Sequence, residues 1–223
     1  MNYPPEPWDL RGQLFLSVFA VPRDTLPALP DPLAATVRPV TIGRKAIVGV
    51  AWVRYEPGGV LTYEELLAAA LTRSGRRLRV SITDIWVDSV PSRDGGRALW
   101  GIPKDLAELT VHTGPSGRTS GAASTARGPI AAASFSPGIR LPGRWPTPMT
   151  LAQAFGDTVK HSPVRGHARL RLGGATWRIE PGGPLRHLAG RRPLLTATLA
   201  DFRLRFGAQA DTTYAPAGAP PEA

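Results

Sequence analysis

Apolar and polar residues alternate with a period of two along several stretches of the chain. The alternation is strongest over residues 78–87, Leu-Arg-Val-Ser-Ile-Thr-Asp-Ile-Trp-Val, which predicts a strand. Residues 13–21 and 46–55 are rich in β-branched and aromatic side chains, which predicts two more buried strands. Further short strands are predicted at 107–113, 118–124, 129–135, 166–172, 175–180 and 193–206. Gly, Pro and Ser turns separate them, as is typical of an antiparallel sandwich or barrel.

Few segments have a helical pattern. Residues 89–100 are predicted to form a short helix that ends at Gly101 and Pro103, and single helical turns are expected near 25–29 and 183–189. Residues 61–71 are ambiguous. Their propensity favours a helix, with Thr62 as its N-cap and Glu65 completing a capping box three residues later.

Length and composition indicate a globular protein with a sizeable core. The 223 residues are 42% hydrophobic, and we expect one domain at 1–207 followed by a disordered Ala/Pro/Thr-rich tail at 208–223. No apolar run reaches the roughly 18 residues of a membrane span. The first residues, MNYPPEPWDL, have no signal-peptide pattern, so a cytoplasmic location is expected.

Charge and residue usage exclude several classes of function. The net charge of +10 suggests nucleic acid as a partner, but the arginines are scattered and no nucleic-acid-binding motif is present, so we do not expect this partner. The absence of Cys excludes thiolate catalysis. The four histidines lack metal-ligand spacing and no GxGxxG occurs, so neither a metal nor a nicotinamide cofactor is expected.

Lysine is scarce in this basic chain. Only three of the 27 basic residues are lysines, and one of them, Lys104, directly follows Pro103 among apolar residues. Arginine stays protonated in proteins, whereas lysine can lose its proton and act as a nucleophile. Lys104 is therefore a candidate for imine chemistry.

The run Gly96-Arg97-Ala98-Leu99-Trp100-Gly101-Ile102-Pro103-Lys104-Asp105-Leu106 resembles the signature of the acetoacetate decarboxylase family, in which the lysine forms a Schiff base with the substrate. Two more segments are similar to the family pattern. Leu29-Pro30-Asp31-Pro32-Leu33 resembles its V-P-x-P-L, and Tyr63-Glu64-Glu65 resembles its Y-x-E. Arg11, before the first predicted strand, matches the family's active-site arginine. The resemblance covers about residues 8–207.

The resemblance implies a fold and an activity. The family fold is mainly β, an antiparallel cone-shaped barrel with a few short helices, and in it the region of residues 61–71 is a strand. We therefore expect a strand there, with Tyr63 and Glu65 on one face. The implied activity is that of a carbon–carbon lyase that decarboxylates a small β-keto acid through an iminium at Lys104, without a cofactor. The implied catalytic residues are Lys104, Glu65 and Arg11, and family members form homo-oligomers.

The chemistry sets requirements on the site. Lys104 must lose its proton near neutral pH, so we expect burial to lower its pKa, with Trp100, Ile102, Phe15 and Phe19 as the apolar walls. A cation that grips the leaving carboxylate would stabilise the ground state as well as the transition state, so we expect Arg11 to pair with Glu65 instead.

One position departs from the family pattern, and it leaves alternatives open. The residue after the lysine is commonly a second lysine, whereas this chain has Asp105. An adjacent anion favours the protonated amine, but neighbours on an extended segment point to opposite sides. The alternatives are an aldolase or dehydratase that uses the same lysine imine, and a non-catalytic ligand-binding protein of the same fold.

Overall fold

The computed structural model describes residues 2–207. Most of these residues lie in strands. The strands are β1 (Trp8–Pro22), β2 (Arg38–Pro39), β3 (Thr41–Ile42), β4 (Lys45–Tyr55), β5 (Tyr63–Ser74), β6 (Arg77–Val87), β7 (Lys104–Leu106), β8 (Glu108–Thr113), β9 (Thr119–Thr125), β10 (Gly128–Ser136), β11 (Trp145–Pro146), β12 (Met149–Phe155), β13 (Thr158–Ile179) and β14 (Leu195–Phe206). The helices are α1 (Leu33–Thr36) and α2 (Val90–Trp100), with 3-10 turns at Arg23–Thr25 and Arg186–Leu188.

Seven long strands close into a barrel. Their order is β12-β6-β5-β4-β1-β14-β13, and β13 also pairs with β12. The closing contact between β12 and β6 is short, with Leu151 opposite Val80 in parallel register. The Gln153 side chain reinforces it by accepting from the Ile82 N–H at 3.0 Å and donating to the Ile82 carbonyl at 3.1 Å. The long pairings are antiparallel, and only β6–β12 and β6–β7 are parallel among the described strands.

A second layer packs on one side of the barrel. The distal half of β13 pairs with β10, and the sheet continues through β9 to β8. Its inner face and the barrel wall bury a common apolar core that includes Phe15, Phe19 and Trp52. Gly121 on β9 makes room for this contact, because a Cβ there would lie 2.8 Å from the Trp52 ring.

The mainly β fold expected from the sequence is confirmed. The predicted strands are present with shifted ends, and the predicted helix over 89–100 is α2. Trp8, the first residue of β1, is buried in the core. One prediction is wrong, and one strand was missed. The turn expected between the strands at 166–172 and 175–180 is not formed, because residues 172–174 belong to the continuous strand β13. Met149–Phe155 is a strand that the pattern did not indicate. The predicted disordered tail at 208–223 lies outside the described residues.

Residues 61–71 show how tertiary packing overrides helix propensity. Most of this stretch is β5, which is paired on one side with β4 and on the other with β6. Leu66 and Ala68 pack into the core beneath the second layer, and Tyr63 and Glu65 point into the barrel. Both faces of the strand are therefore covered, and a helix would leave its neighbours without hydrogen-bond partners.

Candidate active site

Lys104 enters the barrel directly after helix α2. The helix begins with the Ser89 side chain accepting from the Ser92 N–H, and it ends at Gly101, whose φ of 65° lies in the left-handed region. The chain then extends as β7, in parallel register with Ile85 opposite Lys104. Arg97 fixes this segment, since its Nε donates to the Lys104 carbonyl at 2.6 Å. Lys104 is only 4% exposed.

The Lys104 ammonium donates three hydrogen bonds. Nζ lies 2.7 Å from Glu65 Oε2, 2.9 Å from Ser92 Oγ and 3.3 Å from the Tyr63 hydroxyl. These bonds use all three of its protons, so the buried charge is satisfied. Lys104 and Glu65 form an almost completely buried ion pair.

Glu65 is held from its other side by a phenol. The Tyr55 hydroxyl donates to Glu65 Oε1 at 3.0 Å. Tyr55 and Tyr63 are directly opposite on β4 and β5, and their rings stack with centroids 4.3 Å apart. The site therefore consists of one amine, one carboxylate, two phenols and the Ser92 hydroxyl, and it can bind a carbonyl oxygen and move protons around it.

The Lys104 pKa corrects an expectation. Burial alone lowers the pKa of Lys104, but the charge of Glu65 and the interaction with Tyr63 outweigh it, and the net direction is upward. The expected neutral amine is therefore not the resting form, because Glu65 stabilises the ammonium. Burial also raises the pKa of Tyr63, and it raises that of Tyr55 well above its ordinary value, with the Glu65 charge adding to the effect. Both phenols keep their protons.

The amine faces an apolar cavity of about 350 Å³ inside the barrel. Trp100 and Ile102 line it, as expected. Phe15 and Phe19 do not, because they point through the barrel wall into the core beneath the second layer. Lys104 and Glu65 are the only charged side chains among the described residues that line this cavity.

Arg11 lies elsewhere, and the expected Arg11–Glu65 pair is not formed. On β1 the neighbouring Leu10 faces the cavity, so the side chain of Arg11 points to the opposite side of the strand. There it approaches Gly58, at which a Cβ would lie 2.9 Å from Arg11 Nη1, and it lines an outer concavity with Arg165 and Arg203. The Glu65 oxygens bind Lys104 and Tyr55 instead.

Asp105 points away from the amine, as its place on an extended segment predicts. Its side chain is 66% exposed and is bound by Arg97. Arg97 therefore bridges the Asp105 carboxylate and the Lys104 carbonyl on the outside of the barrel.

Sequence reasoning did not assign a role to Ser92, Tyr55 or Tyr63. The alternation of side chains along a strand placed Tyr63 on the same face as Glu65, and this spacing could have identified Tyr63 as a site residue. Ser92 and Tyr55 are joined to the site only through the packing of α2 and the β4–β5 register.

Among residues 2–207, no three His, Asp or Glu side chains lie close enough to bind a metal ion. No helix in the described part of the chain is long and apolar enough to cross a membrane.

Comparison with known proteins identifies the family. The acetoacetate decarboxylase (ADC) family model matches residues 2–174. The chain belongs to the acetoacetate decarboxylase family. Comparison with curated protein sequences gives no significant match.

Solved structures share the fold of this family member at low sequence identity. Acetoacetate decarboxylase from Legionella pneumophila subsp. pneumophila str. Philadelphia 1 is 16% identical with a TM-score of 0.67, and the match covers 92% of this chain and 86% of that one. The enduracididine biosynthesis enzyme MppR complexed with pyruvate is 19% identical with a TM-score of 0.60, covering 92% and 88%. An acetoacetate decarboxylase-like enzyme from Sphingomonas wittichii RW1 is 14% identical with a TM-score of 0.60, covering 92% of each chain.

Proposed function

We propose that the protein is an imine-forming lyase that decarboxylates a β-keto acid at Lys104. The observation that carries the proposal is the buried Lys104–Glu65 pair at the polar end of an otherwise apolar cavity. An amine buried in this way, with a proton acceptor 2.7 Å away, is equipped for nucleophilic attack on a carbonyl.

The reaction begins when Glu65 takes a proton from the Lys104 ammonium. The neutral amine adds to the substrate ketone, and the carbinolamine loses its oxygen as water after Glu65 returns the proton. The product is an iminium, whose positive charge replaces that of the ammonium. Glu65 therefore stabilises the iminium through the same ion pair.

Carbon dioxide then leaves. The electron pair of the bond to the carboxylate moves into the iminium and gives an enamine. Protonation at carbon and addition of water release the ketone and the free amine. In an apolar cavity whose described lining has no cation besides Lys104, the carboxylate is not stabilised by an ion pair of its own, so its ground state is not favoured over the transition state.

Aldol or dehydration chemistry on the same imine is the second candidate. The two phenols beside Glu65 favour it, because Tyr55 and Tyr63 keep their protons and can donate hydrogen bonds to the oxygen of a second carbonyl. MppR, which shares the fold, has been solved with pyruvate and with the condensation product of pyruvate and imidazole 4-carboxaldehyde.

Borohydride trapping tests the imine. Incubation with a β-keto acid and borohydride should add the mass of the reduced adduct to the peptide that contains Lys104. Lys104→Arg keeps the charge but removes the nucleophile, so it should abolish the adduct. Lys45→Arg, at an exposed position, is the matched control and should keep it.

An adduct on Lys45 or Lys160, or no adduct at all, would refute imine chemistry at Lys104. Release of carbon dioxide in step with ketone formation separates decarboxylation from aldol or dehydration chemistry.

A further inference from the structure

The residues that line the cavity follow the strands over much of their length. Three adjacent strands of the barrel each contribute five inward-facing positions to its lining. These positions are Trp8, Leu10, Leu14, Leu16 and Val18 on β1, Ile47, Gly49, Ala51, Val53 and Tyr55 on β4, and Tyr63, Glu65, Leu67, Ala69 and Leu71 on β5. At about 3.3 Å per residue, the β5 wall alone extends for up to about 26 Å.

On the β4 and β5 walls of this channel, the polar side chains are confined to one end. These side chains, Tyr55, Tyr63 and Glu65, lie together with Lys104 where β4 ends and β5 begins. Beyond them, the described lining residues are aliphatic, aromatic or glycine, apart from Met149. A ligand that fills the channel must therefore place its polar atoms at Lys104 and a hydrocarbon portion along the rest.

Small side chains keep the channel open in its middle. Gly49 faces Ala69 across the β4–β5 ladder, and Ala51 follows on the same face. Ala69 lies four residues beyond Glu65, at about 13 Å along the strand. Larger residues at these positions would fill part of the cavity.

The volume exceeds what a four-carbon keto acid requires. With about 30 Å³ for each molecule of liquid water, the cavity's volume of about 350 Å³ corresponds to about a dozen waters. Acetoacetate placed at Lys104 would leave the remaining channel without a ligand atom, so the apolar surface there would contribute nothing to binding.

We propose that the substrate is a β-keto acid with an unbranched alkyl chain. Its ketone lies at Lys104, its carboxylate stays at the polar end, and its chain runs inside the barrel along the inner faces of β4 and β5 past Ala69. The chemistry of carbonyl attack rests on the proposed function. The alkyl specificity rests independently on the channel.

Chain length is the first test. The kcat/KM for carbon dioxide release is measured for acetoacetate, β-ketohexanoate, β-ketooctanoate and β-ketododecanoate. Each buried methylene should raise kcat/KM by about fourfold until the channel is filled. The highest value on acetoacetate, with a fall at each added methylene, would overturn the proposal.

Filling the channel is the second test. Ala69→Leu should lower the ratio of kcat/KM for β-ketododecanoate to that for acetoacetate by at least about tenfold. The control is Ala122→Leu, which makes the same change at an exposed position on β9 and should leave the ratio unaltered. An equal loss on both substrates in Ala69→Leu would contradict a chain that passes this residue.

A binding measurement separates this proposal from the proposed function. Long-chain alkan-2-ones, which are the decarboxylation products, are titrated calorimetrically against wild type and Lys104→Met. Affinity that rises with chain length in both proteins, without borohydride trapping, would support the channel and refute the imine. Trapping at Lys104 without any dependence on chain length would support the imine and refute the channel.

Discussion

The Lys104 ammonium lies 2.7 Å from the Glu65 carboxylate, and neither side chain is more than 5% exposed. The two charges come from different strands, and each is also held by a hydroxyl: Ser92 bonds to the amine, and Tyr55 bonds to the carboxylate. In a low-dielectric site this arrangement makes each partner's protonation depend on the other. The pair is therefore the acid–base unit of the proposed reaction.

Neutralising Glu65 should lower the pKa of Lys104. The Glu65 charge is the largest influence that raises this pKa, and burial opposes it. In Glu65→Gln only burial and the neutral hydrogen bonds remain, so the amine should lose its proton at lower pH than in wild type. The pH profile of Lys104 acylation by an amine-reactive reagent measures this, with the modified peptide identified by mass.

Exposed Glu108 provides the matched control for that experiment. It lies at the start of β8 outside the cavity, so Glu108→Gln should leave the Lys104 profile in place. A profile in Glu65→Gln that stays in place or moves to higher pH would contradict the assignment of Glu65 as the group that keeps the amine protonated.

The stability losses from removing the two partners of the pair separately should add up to more than the loss from removing both together. Lys104→Met leaves a buried carboxylate, and Glu65→Leu leaves a buried ammonium, so each should lower the free energy of unfolding by about 3–5 kcal/mol. The double variant buries no unpaired charge, and its loss should be well below the sum. Urea denaturation of the four proteins gives the coupling, and strictly additive losses would contradict a buried ion pair.

Gly96 on α2 should be required for the position of the amine. A Cβ at this position would lie 2.7 Å from Lys104 Cδ and 2.9 Å from Cε. Since three hydrogen bonds hold Nζ, the Lys104 stem cannot move without displacing the amine. Gly96→Ala should lower kcat about a hundredfold. The helix itself should gain slightly from the alanine.

Gly182→Ala is the control for that substitution, because nothing lies within 4 Å of a Cβ there. It should retain full activity. Thermal unfolding could instead show that most of the Gly96→Ala protein is unfolded, while the folded remainder keeps its kcat. The glycine would then be required for folding and not for the position of Lys104.

The sequence predicted the strands and the lysine because both have local signals. Period-two alternation marked β6, and a scarce lysine after a proline marked Lys104. The family resemblance supplied Glu65 and correctly favoured a strand over a helix around it. Leu172–Gly174 was misjudged because Gly residues usually mark turns, whereas here they continue β13 beside β14 and β10.

The partners of the site depend on contacts that local sequence does not encode. Tyr55 reaches Glu65 through the register between β4 and β5, and Ser92 reaches Lys104 through the packing of α2. The pairing predicted for Arg11 ignored side-chain alternation along β1, which puts Leu10 inside the barrel and Arg11 outside. The Lys104 pKa was misjudged because burial was considered without the buried carboxylate.

Asp105 should have little effect on the protonation of Lys104, although the two residues are adjacent. The Asp105 side chain is 66% exposed and is bound by Arg97 outside the barrel, whereas the amine is inside. Solvent and the guanidinium both weaken its field at the amine. Asp105→Asn should therefore leave the pH profile of Lys104 acylation in place under the conditions in which Glu65→Gln moves it. A shift to lower pH in Asp105→Asn, comparable to that in Glu65→Gln, would mean that the anion after the lysine helps to keep the amine protonated.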